Sequence, residues 1–348
     1  MKLAEYLRAT PEIQWEYARQ MGVRYAVGRM PDGHMEETAE SFALLKAMKE
    51  RYASAGLELK VIEPAPWNQK IKQGLPGRDE EIERTCALVT HMGQLGIEVL
   101  CYNFATYFNW SRTSSTIPDR GGALVTGYRH ADIDQSAYTE VGEITAERLL
   151  DNLTYLQQAI VPVVERAGVR LALHPDDPPV PAIQHVARIL NTPEAMERAC
   201  NLVKSPNMGI TLCQGTFAEM GCDVPQVIRR FAAQGRIHLV HFRDVRGDRW
   251  DFHETFPEDG QTDMAACVQP YPEKNRGGAY VGLEKRVYTQ ADLIKLGITT
   301  EMVGSFRISN GFSVTFYAGD NGTGKYWAYG QVGICLPHFP QLRVSAGQ

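Results

Sequence analysis

The chain has 348 residues, of which 44% are hydrophobic and 22% are charged, and its formal net charge at pH 7 is -5. This composition supplies enough apolar material for a core and excludes a disordered chain. A net negative chain lacks the basic field that holds nucleic acid or an anionic membrane, and no apolar stretch approaches the roughly 18 residues of a membrane span. We therefore expect a cytoplasmic globular protein that binds neither nucleic acid nor membrane.

Short aliphatic and β-branched runs alternate with longer amphipathic segments as far as Phe242. This alternation is typical of parallel strands joined by crossover helices, and it predicts an α/β protein. In chain order the predicted elements are strand Tyr25–Gly28, helix Glu36–Ser54, strand Leu57–Glu63, helix Asp79–Leu95, strand Ile97–Phe104, helix Thr145–Ala167, strand Val169–His174, helix Thr192–Lys204, strand Gly209–Cys213, helix Val224–Ala233 and strand Ile237–Phe242.

The punctuation of the helices agrees with these boundaries. Thr192-Pro193 is a typical helix start, and Gly96 and Gly168 stand where a helix ends in glycine before a strand. After Asn275 the periodicity fades, although Ser313–Tyr317 is a possible strand before a turn. We expect one barrel domain over residues 1–348, in which residues 276–348 form a diverged C-terminal part.

The seven cysteines are spread along the chain and include no C-x-x-C pair. Their odd number and wide spacing indicate neither a disulfide scaffold nor a compact zinc knuckle. Any cysteine with a chemical role must therefore be identified by its position in the fold.

Three successive predicted strands end in possible metal ligands, namely His174, Cys213 and His241. The carboxyl ends of the strands of a (β/α)8 barrel converge on one mouth, so two imidazoles and a thiolate could share an ion there. Such ligands suit Zn2+, Fe2+ or Mn2+ better than Ca2+. Taken singly, each residue also has an ordinary structural explanation, a buried apolar cysteine or a structural histidine.

Strand alternation selects between the two histidines of the last predicted strand. His238 and His241 are separated by an odd number of residues, so they point to opposite faces, and His241 lies nearer the mouth. The same parity places Arg243 on the side of His241, and Asp176 on the side of His174 if that strand continues.

The stretches around these ligands resemble the mannonate dehydratase family. The most specific is His174-Pro175-Asp176-Asp177-Pro178-Pro179, followed by Leu212-Cys213-Gln214-Gly215 and Val240-His241-Phe242-Arg243-Asp244. The amino-terminal half adds Ile71-Lys72-Gln73-Gly74, Gly77-Arg78-Asp79, Cys101-Tyr102-Asn103-Phe104 and Trp110-Ser111-Arg112-Thr113. The resemblance extends from about residue 12 to residue 268 and implies a single-domain, xylose-isomerase-like (β/α)8 TIM barrel with an atypical C-terminal region.

The resemblance also implies that His174, Cys213 and His241 are ligands of a divalent metal, for which Mn2+ or Fe2+ is favoured and Mg2+ or Zn2+ are alternatives. The family's fourth ligand is an aspartate in an Arg-Pro-Asp-His segment, which is absent from this sequence. Glu284 and Asp320 are weak candidates for that position, and neither is assigned.

The activity implied by the resemblance is dehydration of D-mannonate to 2-keto-3-deoxy-D-gluconate. Asp176, two residues after a ligand, is the candidate for acid-base catalysis, with a helix or turn cap as the alternative. Asn103 and Arg112 are the candidates for substrate binding, Arg112 through paired hydrogen bonds to a carboxylate.

Two other functions stay open. Related barrels move protons between sugar carbons, which would make the protein a sugar isomerase or epimerase. A catalytically impaired homologue that only binds a sugar acid is the third interpretation, because the Arg-Pro-Asp-His segment is missing. The expected partner is a small sugar acid, and a homo-oligomer is plausible.

Overall fold

The computed structural model describes residues 2–30, 38–65 and 69–268, with side chains from residue 42 in the second range, and the backbone of four strands nearer the C-terminus. The strands are β1 Ala4–Tyr6, β2 Tyr25–Gly28, β3 Glu58–Ile62, β4 Val99–Tyr102, β5 Ser114–Pro118, β6 Leu124–Arg129, β7 Arg170–Leu173, β8 Ala182–Ile183, β9 Val186–Ala187, β10 Met208–Cys213, β11 Ile237–His241, β12 Asp244–Asp248, β13 Asp251–Thr255, β14 Val287–Thr289, β15 Phe312–Gly319, β16 Thr323–Gly330 and β17 Gln341–Ala346. The helices are α1 Ile13–Gln20, α2 Thr38–Ser54, α3 Gln69–Gln73, α4 Arg78–Leu95, α5 Ala146–Ala167, α6 Pro193–Cys200, α7 Gln214–Glu219, α8 Val224–Ala233 and α9 Met264–Val268.

Seven parallel strands form the central sheet, in the order β1-β2-β3-β4-β7-β10-β11. Neighbours in the sheet follow one another along the chain, and helices lie between most of them, which is the arrangement of a (β/α)8 barrel. All six strands predicted up to Phe242 are present. The prediction missed β1 and α1, so the strand that carries His241 is the seventh in the sheet and not the sixth.

The sheet curls strongly, as a contact between two distant strands shows. Glu63, which follows β3, lies 3.0 Å from His241 at the end of β11. Four inter-strand steps separate β3 from β11, and in a flat sheet they would span roughly 19 Å. The side chains of one face therefore point into a common interior.

Two separate apolar clusters distinguish the inner and outer faces of this curled sheet. The smaller, inner cluster is formed by Val27, Val61, Val99, Cys101 and Ala172. Each of these residues differs by an even number from a residue at the carboxyl end of its own strand, so that strand-end residue shares the inner face. The parity places Glu63, Asn103 and His174 on the inside, at the mouth.

The helices cover the outer face. In α5, Leu149, Leu153, Leu156, Ile160 and Val164 recur every three or four residues and are buried, and burying each such side chain contributes about 1.5–3 kcal/mol.

The helix start at Thr192 and the glycine ends at Gly96 and Gly168 are confirmed, whereas the end predicted for α6 is wrong. Thr192 accepts a hydrogen bond from Ala195 N, and Gly96 and Gly168 adopt left-handed conformations at φ 68° and 67°. Helix α6 ends at Cys200, four residues before its predicted end at Lys204.

A second, antiparallel sheet has the strand order β12-β13-β6-β5. Strands β5 and β6 belong to the connection between β4 and α5, and β12 and β13 form a hairpin after β11. Pairing of β13 with β6 joins the two segments. The sequence pattern did not predict this sheet, which places Glu254 close to the barrel mouth.

The four strands nearer the C-terminus form an antiparallel sheet in the order β14-β17-β15-β16. The possible strand Ser313–Tyr317 lies within β15 and is confirmed. The division of the chain at residue 276 stays a prediction. Among the described helices, none combines the length and the apolar character that crossing a membrane requires.

Candidate metal centre

The three predicted metal ligands converge at the barrel mouth. His174 follows β7, while Cys213 and His241 are register partners at the ends of β10 and β11. One ligand atom from each of the three residues lies within 4.8 Å of the other two. His174 Nε2 is 3.1 Å from His241 Nδ1.

The hydrogen bonds of the two imidazoles determine which nitrogen atoms carry protons. His174 Nδ1 is 2.6 Å from the carbonyl oxygen of Pro175, which can only accept, and His241 Nε2 is 3.0 Å from the carboxylate of Glu63. When its ring is neutral, each histidine therefore donates from that nitrogen. The other two nitrogens, His174 Nε2 and His241 Nδ1, then present lone pairs to each other, and only a cation or a proton between them makes this arrangement favourable.

Cys213 adds an anionic donor to the same place. Its side chain is buried, Thr216 Oγ1 donates to Sγ at 3.1 Å, and Arg243 Nη1 lies 3.3 Å from Sγ. Burial raises the pKa of the Cys213 thiol, but Arg243 and His174 more than offset this effect and hold the pKa well below its usual value. The side chain is therefore a thiolate, the form that binds metals.

This donor set fits a divalent transition-metal ion. Two imidazole nitrogens bound tetrahedrally to one ion at about 2.0–2.1 Å would lie roughly 3.4 Å apart, close to the 3.1 Å between His174 Nε2 and His241 Nδ1. Two lone pairs and a thiolate that meet within the barrel match the borderline-to-soft ligands that such ions prefer.

Glu63 was included at the end of a predicted strand, but the sequence analysis assigned it no role. It lies on the inner face, and its ion pair with His241 crosses the barrel mouth. Burial raises the pKa of Glu63, whereas His241 and His174 lower it to below the usual value. Burial lowers the pKa of His241, whereas Glu63 and Cys213 raise it to about 10, so without a metal ion the ring carries a second proton on Nδ1, which a bound ion would displace. Strand parity places Glu63 on the face of Val61, but only the structure shows that this face is the inner one.

Glu63, Cys101 and His241 form a second group with metal-ligand spacing. The Cys101 side chain is buried, and its Sγ lies 3.1 Å from Thr211 Oγ1. Burial and Glu63 raise the pKa of this thiol well above its usual value, so it stays protonated and is a poor ligand. The group around His174 is therefore the better candidate.

His238 lies on the opposite face of β11 from His241, as the alternation predicts. Its Nδ1 donates to the carbonyl oxygen of Leu171 at 2.8 Å. Burial lowers the pKa of His238 to about 4, so this ring is neutral at physiological pH.

Asn103, predicted to bind substrate, follows β4 by one residue and is held by a buried lysine. Lys72 Nζ donates to Asn103 Oδ1 at 2.8 Å and to the carbonyl oxygen of Ala105 at 3.0 Å. Burial lowers the pKa of Lys72 to about 7. Because Oδ1 accepts from Lys72, the amide Nδ2 of Asn103 is the group oriented away from that lysine.

Asp176, the candidate for acid-base catalysis, is 1% exposed. Its Oδ2 accepts from Leu190 N at 2.8 Å, while the buried Oδ1 has no hydrogen-bond partner among the described residues. The strand ends at Leu173, so strand alternation does not extend to Asp176. Its catalytic role stays a prediction.

Arg112, the candidate for binding a substrate carboxylate, lies in a buried ion-pair network. It contacts Asp177 through two hydrogen bonds of 2.6 and 3.0 Å, and it donates to Glu254 at 2.6 Å. Its side chain is 4% exposed. The structure therefore places this guanidinium against protein carboxylates, and its contact with a substrate stays a prediction.

Arg243 joins the same network. Its guanidinium contacts Asp177 at 3.1 Å, Glu219 at 2.5 Å and Glu254 at 2.7 Å. Burial and the nearby Asp177 raise the pKa of Glu219 well above its usual value. The two guanidiniums of Arg112 and Arg243 therefore face the carboxylates of Asp177 and Glu254, and Arg243 also faces the Cys213 thiolate.

The two weak candidates for a fourth ligand, Glu284 and Asp320, lie outside the described residues. Within the described residues, the candidate centre consequently consists of the three ligands His174, Cys213 and His241.

The fold and the site define a class, that of α/β barrels with candidate metal ligands at the carboxyl ends of the strands. A xylose isomerase domain protein from Alicyclobacillus acidocaldarius has a similar fold, with a TM-score of 0.51 at 14% identity over 77% of this chain and 84% of that one.

Particular relatives narrow the class to a family. Residues 4–146 and 135–292 match the family model of D-mannonate dehydratase (UxuA). Mannonate dehydratase 2 of Halalkalibacterium halodurans is 36% identical over 65% of this chain and 73% of its own length. The crystal structure of the mannonate dehydratase from Streptococcus suis serotype 2 has a TM-score of 0.72 at 28% identity, over 86% of this chain and 95% of that one. The chain belongs to the mannonate dehydratase family, and the predicted (β/α)8 TIM-barrel class is confirmed.

Proposed function

We propose that the protein is a metal-dependent hydro-lyase that converts D-mannonate to 2-keto-3-deoxy-D-gluconate and water. The observation that carries this proposal is the convergence of His174 Nε2, His241 Nδ1 and the Cys213 thiolate at the mouth of a barrel of this family. The substrate is a small sugar acid, and the proposed location is the cytoplasm. A homo-oligomer remains part of the proposal.

His174, Cys213 and His241 would hold the ion, with Mn2+ or Fe2+ favoured and Mg2+ or Zn2+ as alternatives. A bound divalent ion supplies electrostatic stabilisation of the negative charge that develops on substrate oxygens. The hydrogen bonds of His174 to the Pro175 carbonyl and of His241 to Glu63 direct the other nitrogen of each ring to the Cys213 thiolate, and an ion that binds there would displace the Nδ1 proton of His241.

The reaction removes the proton on the carbon next to the carboxylate and expels hydroxide from the following carbon, and the resulting enol becomes a ketone. One group must accept the first proton, and one must protonate the leaving hydroxide. Asp176 is the proposed acid-base group, because it is buried two residues after a ligand and one of its oxygens lacks a hydrogen-bond partner among the described residues.

Asn103 is proposed to bind a substrate hydroxyl. The amide oxygen accepts a hydrogen bond from Lys72, so the amide nitrogen is the group that can donate to a substrate oxygen. Arg112 is retained as the proposed contact of the substrate carboxylate, which would require it to exchange one of its present partners, Asp177 or Glu254, for the substrate.

Turnover of D-mannonate by the purified, Mn2+-supplemented protein tests this function. The expected result is formation of the 2-keto-3-deoxy acid, lost in Cys213→Ala and His241→Ala and retained in His238→Ala, whose imidazole lies on the other face of β11. A product of unchanged mass would instead identify an isomerase or epimerase. Metal binding without any turnover would identify a sugar-acid-binding homologue and overturn the proposed activity.

A further inference from the structure

One carboxylate at the barrel mouth belongs to none of the predicted site residues. Glu63 follows β3 on the inner face, opposite the strands that carry the three ligands, and its side chain is 18% exposed. Its Oε2 lies 3.0 Å from His241 Nε2. It therefore contacts His241 from the side opposite to His174.

The two nitrogens of His241 have different partners. Nδ1 faces His174 Nε2 at 3.1 Å, whereas Nε2 faces Glu63. An ion shared with His174 and Cys213 would bind on the Nδ1 side of the ring. Glu63 Oε2 is bonded to Nε2, so the imidazole ring lies between this carboxylate oxygen and the ion. In this arrangement Glu63 is not a ligand of the ion.

We infer that Glu63 is a positioning residue that fixes the tautomer and ring orientation of His241 for metal binding. A metal-bound imidazole keeps one ring proton, and a carboxylate that can only accept a hydrogen bond holds that proton on Nε2, so the Nδ1 lone pair is directed to the ion shared with His174 and Cys213. Carboxylates that receive the second N–H of a ligating histidine act in this way in metalloproteins. This inference rests on the metal centre of the proposed function.

Each of the two imidazoles has one nitrogen bonded to an acceptor, and for His174 that acceptor is a backbone carbonyl oxygen. The Pro175 carbonyl holds the proton of His174 on Nδ1, and Glu63 holds that of His241 on Nε2. A main-chain carbonyl cannot be removed by substitution, whereas Glu63 can. Only the His241 side of the centre is therefore open to a direct test.

Co2+ binding measures this role without any turnover. A thiolate-to-Co2+ charge-transfer absorption reports binding through Cys213, and the d–d absorption reports the ligand set. We expect Glu63→Leu to weaken Co2+ affinity by roughly 10- to 100-fold, with the saturated spectrum and Tm unchanged. Glu63→Gln, which keeps a carbonyl acceptor without the charge, should lose less affinity.

Glu58→Leu is the matched control, because Glu58 is an exposed carboxylate at the other end of the same strand; it should bind Co2+ like the parent. Unchanged affinity in Glu63→Leu would overturn the inference while leaving the metal centre standing. An altered d–d spectrum at saturation would overturn it by making Glu63 a direct ligand. Absence of the thiolate band in the parent would overturn both the centre and the inference.

Discussion

Arg243 Nη1 lies 3.3 Å from Cys213 Sγ, so a guanidinium that pairs with Asp177, Glu219 and Glu254 also contacts a proposed metal ligand. The Arg243 guanidinium therefore belongs both to the ion-pair network and to the surroundings of the candidate metal centre. Removal of this side chain should lower the stability of the fold even when no metal is present.

Arg243→Met is expected to lower the free energy of unfolding of the metal-free protein by roughly 3–5 kcal/mol, because it removes one of the two guanidiniums that pair with the buried Asp177 and with Glu254. Urea unfolding in the presence of EDTA measures this difference. Arg246→Met is the control: Arg246 is an exposed neighbour that donates to the carbonyl oxygen of Asp259, and its loss should cost about 0.5 kcal/mol or less. Equal effects of the two substitutions would contradict the assigned importance of the network.

His238 should make the stability depend on pH. Its folded-state pKa is lowered to about 4, so between about pH 6.5 and pH 4 the unfolded chain binds a proton that the folded protein does not, and stability falls as the pH falls. From pH 8 to pH 5 the loss assigned to this ring is about 2 kcal/mol.

His238→Gln, which keeps an amide donor for the Leu171 carbonyl, should remove that part of the pH dependence. The measurement is urea unfolding of metal-free parent and variant at both pH values. Identical slopes against pH in the two proteins would show that the buried imidazole does not govern this window.

Lys72→Met is expected to raise KM for D-mannonate by about 10-fold, which corresponds to one oriented hydrogen bond of about 1.4 kcal/mol, with a smaller effect on kcat. The substitution removes the ammonium that holds Asn103 Oδ1, so the amide is free to rotate. Steady-state kinetics provide the measurement. Lys70→Met, on the exposed side of the same helix, should leave KM unchanged; an equal change in both variants would remove the specific role of Lys72.

Mn2+ should stabilise the folded protein, because His174 Nε2, His241 Nδ1 and the Cys213 thiolate converge only in the folded chain, where they would bind the ion in place of the His241 proton. At a free Mn2+ concentration 100 times Kd the expected gain is about 2.7 kcal/mol. Thermal unfolding in Mn2+ and in EDTA measures it as a rise in Tm. Cys213→Ala should show a much smaller rise, and a rise as large as that of the parent would exclude Cys213 from the ion's ligands.

The parallel strands could be predicted because each is a short apolar run with a helix before or after it. Such a pattern indicates burial on both faces of the sheet. The parity of residues along β11 placed His241 and His238 on opposite faces from the sequence alone. The missed strand β1 has only three residues, Ala4–Tyr6, of which two are exposed. It therefore has no apolar run, and it becomes a strand only by pairing with β2.

The roles of single polar side chains required the tertiary structure. Arg112 and Glu254 are 142 positions apart in the chain and yet in contact, because β13 pairs with β6 across the mouth. No local pattern records that pairing, since hydrogen bonds between distant strands depend on how the whole chain closes.

The sequence alone therefore determined the family resemblance, the alternation of strands and helices, and the three candidate ligands at successive strand ends, because these depend on residue order and on the fixed period of a strand. The tertiary structure decided which partner each of those side chains meets. Glu63 and His241 are 178 positions apart, and only the curling of the sheet brings that carboxylate to the imidazole and so determines which nitrogen atom faces the other ligands.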